Sequence, residues 1–167
     1  MWSIIKEKFQ NYPAQEKVVK LLLDRGFQIN TLGHVVSGSI EIPHTQIAKE
    51  IGVDRRVIDA TCDTILEDST LREIFRNIHT IPSLKDVAPT LGLSVIIIEP
   101  DNAHCKGLLG SVATAVAEIG LNIRQAVADD PFISQDPQLT IIIDGNISGE
   151  LINILNKIKG VKSVTIY

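Results

Sequence analysis

The order of strand and helix patterns in the second half of the chain limits the folds that it can adopt. Residues 93–98 form an apolar run, with Ser94 as its one polar residue, that ends at Glu99-Pro100, as expected of a buried strand. Helical and strand patterns follow, and Gly120 and Gly160 stand where the two predicted helices end. The remaining predicted elements are a helix at 108–119, strands beginning at 121 and 139, a helix at 152–159 and a strand at 161–167. This order of strand, helix, strand, strand, helix and strand is that of the ferredoxin-like split βαβ fold.

The first half of the chain is mostly helical, and residues 44–59 have the pattern of a helix-turn-helix. Ala48 is small enough for two helices to cross closely, and Gly52 occupies the turn, where a left-handed backbone is cheap only for glycine. Asp54 can cap the second helix by accepting its free N–H groups. We therefore predict an α+β protein. A (winged-)helix-turn-helix-like domain spans residues 1–91, and a ferredoxin-like domain spans residues 92–167.

The charge pattern leaves the role of the helical domain open. The formal net charge is −4, and neither predicted domain is basic, which argues against strong non-specific affinity for nucleic acid or an anionic membrane. Arg55 and Arg56 open the second helix of the pair and could contact DNA. Asp59 and Asp63 follow on the same helix and would repel phosphate. One interpretation is DNA contact by the two arginines, and the other is a structural or partner-docking domain.

Several classes of chemistry find no support in the sequence. The two cysteines, Cys62 and Cys105, lie far apart, and no Cys/His spacing matches a zinc site, so we expect free thiols in a reducing cytoplasm. No nucleophile–base pair or glycine-rich phosphate loop is visible. We expect no catalytic residue, metal or cofactor. No signal-peptide pattern and no apolar run of about 20 residues occurs, so we expect a soluble cytoplasmic protein that has no membrane partner.

The polar turn after the first predicted strand offers groups that could hold an amino acid. Asp101 and Asn102 supply acceptors suited to an α-ammonium group. The N–H groups around Gly107 and Leu108 open a helix, and a helix N-terminus favours a carboxylate. The alternative is an ordinary turn whose polar residues only cap the backbone.

At this turn the sequence resembles an ACT domain, a small ligand-sensing module of amino-acid metabolism. The resemblance rests on the turn that ends in Gly107-Leu108, a helix of about twelve residues, and the following Gly120-Leu121-Asn122-Ile123. Lys106 stands where the family commonly has proline. The resemblance implies a ligand site at this turn and at a subunit interface, with Asn122 beside the turn. The implied ligand-binding residues are Asp101, Asn102, Lys106, Gly107, Leu108, Asn122 and Ile123.

The whole chain is similar to an archaeal family that pairs an N-terminal helical domain with a C-terminal ACT domain. That family is regarded as predicted regulators of amino-acid metabolism. The resemblance implies an allosteric, non-enzymatic regulator that binds an amino-acid effector. The loop at 132–138 is predicted to shape a ligand or subunit contact, with an ordinary long hairpin as the alternative. Residues 161–167 are predicted to form an edge strand through which a homodimer pairs its sheets. A ligand-responsive transcription regulator and a non-catalytic subunit docked on a biosynthetic enzyme remain as alternatives.

Overall fold

The computed structural model describes residues 2–102, 104–131, 134 and 136–167, except for the side chain of Trp2. Within these residues no helix has both the length and the apolar character that crossing a membrane requires. The chain is an α+β protein, and it divides into two compact units, residues 1–81 and 82–167.

The first unit consists of five helices and a small antiparallel sheet. Its core is built from side chains that are almost wholly buried, among them Phe9, Leu22, Ile58, Ile65 and Phe75. The strands of this sheet lie side by side in the order in which they occur in the chain, and the sheet precedes the helix-turn-helix segment. The elements are α1 Trp2–Phe9, α2 Pro13–Arg25, β1 Gln28–Ile29, β2 Val35–Ser37, β3 Ile40–Glu41, α3 His44–Ile51, α4 Arg55–Glu67 and α5 Ser69–Asn77.

The helix-turn-helix geometry predicted from the sequence is present in α3 and α4. Ala48 is only 5% exposed, as a close helix crossing requires. Gly52 adopts the left-handed conformation (φ 67°) and ends α3. Asp54 caps α4, because its side chain accepts the N–H of Arg56 at 2.9 Å. The local signals of the sequence therefore produce the expected turn.

The second unit has the ferredoxin-like topology that the sequence order predicts. Its four strands are all antiparallel to their neighbours, in the order β5 (Asn122–Ala128), β6 (Leu139–Asp144), β4 (Leu93–Pro100) and β7 (Val161–Ile166). Strands β5 and β7 are therefore the edges of this sheet. Residues 161–167 therefore provide an edge strand, as predicted. The elements are β4 Leu93–Pro100, α6 Leu108–Glu118, β5 Asn122–Ala128, β6 Leu139–Asp144, α7 Gly149–Leu155 and β7 Val161–Ile166.

Both faces of the central strands are covered. On one face Ile96, Ile98, Ile141 and Ile143 pack against α6 and α7. On the other face Val95, Ile97 and Ile142 pack against Leu84 and Ala88, which precede the first strand of the sheet. This double burial explains why residues 95–98 of β4 form a continuous apolar run rather than an alternating one.

Residues 82–91 thus belong to the second compact unit. The boundary of an independently folding domain at Leu91/Gly92 stays a prediction.

Candidate functional site

The turn between β4 and α6 is held together by its own backbone and by Asn102. The Oδ1 atom of Asn102 accepts the N–H of His104 at 2.9 Å, and the N–H of Cys105 donates to the Asn102 carbonyl at 2.9 Å. The N–H of Asp101 donates to the Gly160 carbonyl at 2.9 Å, which ties the turn to the start of β7. The Asn102 oxygen therefore organises the turn.

Helix α6 begins at this turn without a side-chain cap. Gly107 is its N-cap residue, with φ 83°, and the first intrahelical bond runs from the N–H of Ser111 to the Gly107 carbonyl at 2.9 Å. The N–H groups that precede Ser111 in the first turn have no carbonyl within the helix to donate to. They carry partial positive charge and suit an anionic group.

A pocket of about 190 Å³ lies where this helix start meets the ends of β5 and β6. Of the predicted ligand residues, Gly107 and Leu108 line it, whereas Asp101, Asn102 and Lys106 are exposed on the same turn and do not. Among the described residues, the lining combines apolar side chains with the Asp129 carboxylate and the Gln138 carboxamide. The described lining residues are Pro100, Cys105, Gly107, Leu108, Leu109, Ala128, Asp129, Pro137, Gln138 and Leu139.

Asp129 is the charged residue among the described lining of this pocket, and sequence reasoning did not select it as a ligand residue. Its backbone N–H donates to the Gln138 carbonyl at 2.9 Å, and its Oδ2 atom accepts the Gln138 N–H at 3.1 Å. A signal for it was present in the fold prediction. In a βαββαβ order the first and second strands run in the same direction, so the residues that follow these two strands lie at the same end of the sheet.

Asn122 and Ile123 lie at the other end of the sheet, which corrects the expectation that Asn122 stands beside the turn in the same chain. Asn122 pairs with Asp144, and Asp144 pairs with Leu93 at the start of β4. The turn follows Pro100 at the end of β4, roughly 25 Å away at about 3.3 Å per residue. Ile123 packs into the core beneath the helices. A contribution of Asn122 from a second copy of the chain stays a prediction.

Part of the loop predicted to shape a ligand contact lies outside the described residues, namely Phe132, Ile133 and Gln135. Pro137 and Gln138 are described, and both line the pocket.

In the first unit, Arg55 and Arg56 stand at the start of α4 with side chains 63% and 89% exposed. Each is paired with a carboxylate: Arg55 Nε lies 3.2 Å from Asp59 Oδ2, and Arg56 Nε lies 3.2 Å from Asp54 Oδ1. The backbone hydrogen bond from Arg56, more than its charge, holds the pKa of Asp54 below its usual range. The two arginines therefore present cationic groups that are partly neutralised.

A polar pocket of about 430 Å³ adjoins Arg55 in the same unit. His44 Nδ1 lies 2.7 Å from Asp59 Oδ1, and the Val35 N–H points at His44 Nε2 at 3.4 Å. These contacts favour the imidazole tautomer in which Nδ1 donates. The hydrogen bond from His44, with that from Arg55, lowers the pKa of Asp59 against the opposing effect of burial.

The described residues contain no cluster of three or more His, Cys, Asp or Glu side chains that could hold a metal ion. Cys62 is 1% exposed, and burial, with the charges of Asp59 and Asp63, raises the pKa of its thiol to about 12. Cys62 is therefore a core residue, whereas Cys105 is partly exposed in the pocket of the second unit.

No protein-family model matches the chain. No curated protein matches it. Among solved structures, the chain is similar to the crystal structure of PH0061, with 13% identity over 92% of this chain and 88% of that chain and a TM-score of 0.29. It is also similar to an AsnC family transcriptional regulator from Agrobacterium tumefaciens, with 13% identity over 92% of this chain and 86% of that chain and a TM-score of 0.30.

Proposed function

We propose that the chain is a non-enzymatic, ligand-responsive regulator, in which the ferredoxin-like unit binds a small molecule and the helix-turn-helix unit delivers the response. One observation carries the proposal. The uncapped start of α6, the Asp129 carboxylate and a set of apolar side chains all line the same small pocket.

The chemistry of the pocket favours a small apolar α-amino acid. The N–H groups of the first turn of α6, which have no partner within the helix, suit an α-carboxylate. The Asp129 carboxylate suits an α-ammonium group by a charge-assisted hydrogen bond. Leu108, Leu139 and Pro100 offer apolar surface to an aliphatic side chain. At about 190 Å³ the pocket is smaller than the roughly 300–1,000 Å³ of sites for drug-sized ligands, which favours a ligand the size of an amino acid.

A thermal-shift screen with each common amino acid at millimolar concentration tests the ligand. A compound at about 100 times its Kd stabilises the folded state by roughly 2.7 kcal/mol. A chain of this size should then melt roughly 5–10 °C higher. We expect the largest shift from an aliphatic amino acid. If no amino acid raises the melting temperature, this part of the proposal is wrong.

Two matched aspartate variants locate the site. Asp129→Asn keeps the size of the side chain and removes the charge that would hold the ammonium group, so it should abolish the shift. Asp101→Asn makes the same change on the exposed turn beside the pocket and should leave the shift unchanged. The reverse result would place the ligand on the turn instead of in the pocket.

Edge strands offer a route to the homodimer and a possible role for Asn122. If β5 pairs with its copy about a two-fold axis, the antiparallel arrangement sets the start of one β5 beside the end of the other. Asn122 of one copy would then approach the pocket of its partner. If β7 pairs instead, Asn122 stays remote from both pockets. Asn122→Ala should weaken amino-acid binding only in the first arrangement. A sedimentation measurement that finds monomer at micromolar concentration would contradict both.

DNA is the partner that we propose for the helix-turn-helix unit. The observation in favour is the exposure of Arg55 and Arg56 at the capped start of α4, directly after the Gly52 turn. Each phosphate contact contributes about −0.9 to the slope of log affinity against log salt. Replacing both arginines with alanine should therefore flatten that slope by about 2 for each bound unit.

Arg76→Ala is the matched control for this experiment, because it removes an exposed arginine from α5 of the same unit. If the start of α4 contacts phosphate, the double arginine variant should have a flatter slope of log affinity against log salt, whereas Arg76→Ala should keep the slope of the wild type. DNA contact would be refuted if the affinity for DNA does not change with salt and is the same for the double arginine variant and Arg76→Ala. Recovery of a biosynthetic enzyme in a pull-down would then support the docking alternative.

A further inference from the structure

The residues that lead into the sheet are fastened to its edge strand by one side chain. We call residues 82–91 the strap. The N–H of Leu84 donates to Gln125 Oε1 at 2.9 Å, and Gln125 Nε2 donates to the Pro82 carbonyl at 2.8 Å. Gln125 lies in β5 and is more than 40 residues from both partners in sequence. A carboxamide that both accepts from and donates to one short backbone segment fixes its position and its direction.

A β-bulge aims Gln125 at the strap. Ile123 pairs with Ile143, but Gln125 pairs with Ile142, so Arg124 is an extra residue in β5. Ile143 faces the helices, whereas Ile142 belongs to the opposite, strap-covered face. Side chains two residues apart in a regular strand share a face, so without the bulge Gln125 would follow Ile123 toward the helices.

The same shift in register sets the direction of the residues that line the pocket. Ala128 pairs with Leu139, which is buried on the helix-covered face, and both residues line the pocket. Asp129 follows directly. One short strand therefore carries Gln125, the anchor of the strap, on one face and Ala128, which lines the pocket, on the other, three residues apart.

The strap is also held by apolar contacts and by its own turns. Ala88 is fully buried and packs, with Leu84, on Val95, Ile97 and Ile142. The N–H of Ala88 donates to the Leu84 carbonyl at 2.8 Å, and the N–H of Leu93 donates to the Ala88 carbonyl at 2.9 Å. Gln125 adds a polar anchor at the N-terminal end of the strap, where the chain enters from residues 1–81.

We propose that Gln125 couples the pocket to the strap, so that occupancy at the Asp129 end of β5 changes how firmly the chain is held where it enters the second unit. The proposal rests on the function proposed above, because it requires a ligand in that pocket. In this proposal, β5 and its residue Gln125 transmit ligand binding to the strap. β5 is suited to this role because it is an edge strand, bonded on one side to β6.

Hydrogen exchange read by mass spectrometry on the full chain tests the coupling. Wild type and Gln125→Ala are compared with and without 10 mM L-leucine. Gln28→Ala is the matched control, since the Gln28 carboxamide also accepts a backbone N–H, that of Gly38, within the first unit. Loss of the two Gln125 bonds should speed exchange in the strap by roughly 10- to 100-fold. Gln28→Ala should leave strap exchange unchanged.

The measurements with L-leucine show whether Gln125 couples the pocket to the strap or only anchors the strap. We expect L-leucine to slow exchange around residues 128–129 and 138–139 in both proteins, but to slow exchange in the strap only when Gln125 is present. Equal slowing of the strap in wild type and Gln125→Ala would overturn the proposal.

A further variant, Asp129→Ala, tests the coupling between the Asp129 end of β5 and the strap without a ligand. Asp129→Ala removes the side-chain bond to the Gln138 N–H and should speed strap exchange in wild type, but not further in Gln125→Ala. If L-leucine protects nothing while this dependence appears, L-leucine is not the ligand, and the coupling between the Asp129 end of β5 and the strap stands. If Asp129→Ala has equal effects in both backgrounds, the coupling is wrong.

Discussion

Gly160 is a position at which one methyl group should disturb both the sheet and the pocket. Its φ is +93°, in a region that side-chain-bearing residues rarely adopt, and it precedes β7 directly. A Cβ atom placed there would lie 2.5 Å from Cys105 Sγ and 3.5 Å from Cys105 Cβ. Cys105 lines the pocket, so the sulfur would have to move within it.

The cost of Gly160→Ala has two parts. The backbone part is about 1–2 kcal/mol, the penalty of a left-handed conformation for an alanine. The contact with sulfur adds an overpacking cost of about 1–3 kcal/mol. Together they should reduce the stability of the second unit by about 2–5 kcal/mol. Cys105→Ala removes the sulfur, so in that background Gly160→Ala should lose the contact part and keep the backbone part.

A double-mutant cycle measures how much the cost of Gly160→Ala falls when Cys105→Ala has removed the sulfur. Hydrogen exchange of the buried β4 amides reports the stability of the second unit, and the α2 amides report the first unit as an internal control. We expect a coupling of about 1–3 kcal/mol between the two substitutions. If the two effects add to within about 0.5 kcal/mol, the steric reasoning is refuted. A change at α2 would show that the substitution acts beyond its own unit.

Three further predictions follow from single sites. Gly26→Ala places a Cβ 2.5 Å from the Thr80 backbone nitrogen, which cannot yield as a side chain can, so we expect a loss of about 3 kcal/mol or more in urea unfolding. Gly38→Ala has a similar φ and nothing within 4 Å, and it should cost only about 1–2 kcal/mol; equal losses would contradict the clash. Native protein at pH 8 should expose one fast thiol to a disulfide reagent, at Cys105, because Cys62 is buried and burial raises its pKa to about 12; two fast thiols would refute this. Asp68 caps α5, and its hydrogen bonds from Leu71 and Thr70 hold its pKa below the usual range. Its stabilising effect is therefore complete above the unfolded pKa and is lost as the pH falls through the lower folded pKa. The difference in unfolding midpoint between wild type and Asp68→Ala should narrow below about pH 4, and a constant difference would contradict this linkage.

The interactions that determine local structure act over a few residues, so they could be predicted from the sequence. The apolar run of β4, the left-handed glycine at position 52 and the cap at Asp54 all lie where the pattern places them. The alternation of strand and helix patterns was sufficient to predict the ferredoxin-like topology, because few arrangements bury six such elements against one sheet.

The positions of side chains from distant segments were decided by the tertiary structure. The pocket brings residues 107–108 and 128–129 together at one end of the sheet, because β4 and β5 run in the same direction. For the same reason Asn122, at the start of β5, lies at the opposite end. The bulge at Arg124 reverses the faces of the residues after it.

The amino-acid sequence thus determined which elements form and their order along the chain, because periodicity, glycine conformation and capping are local properties. Only the tertiary structure decided which polar groups share a pocket and which side chain fastens the strap. Those contacts depend on strand register, and a shift of one residue in register changes the face to which a side chain points.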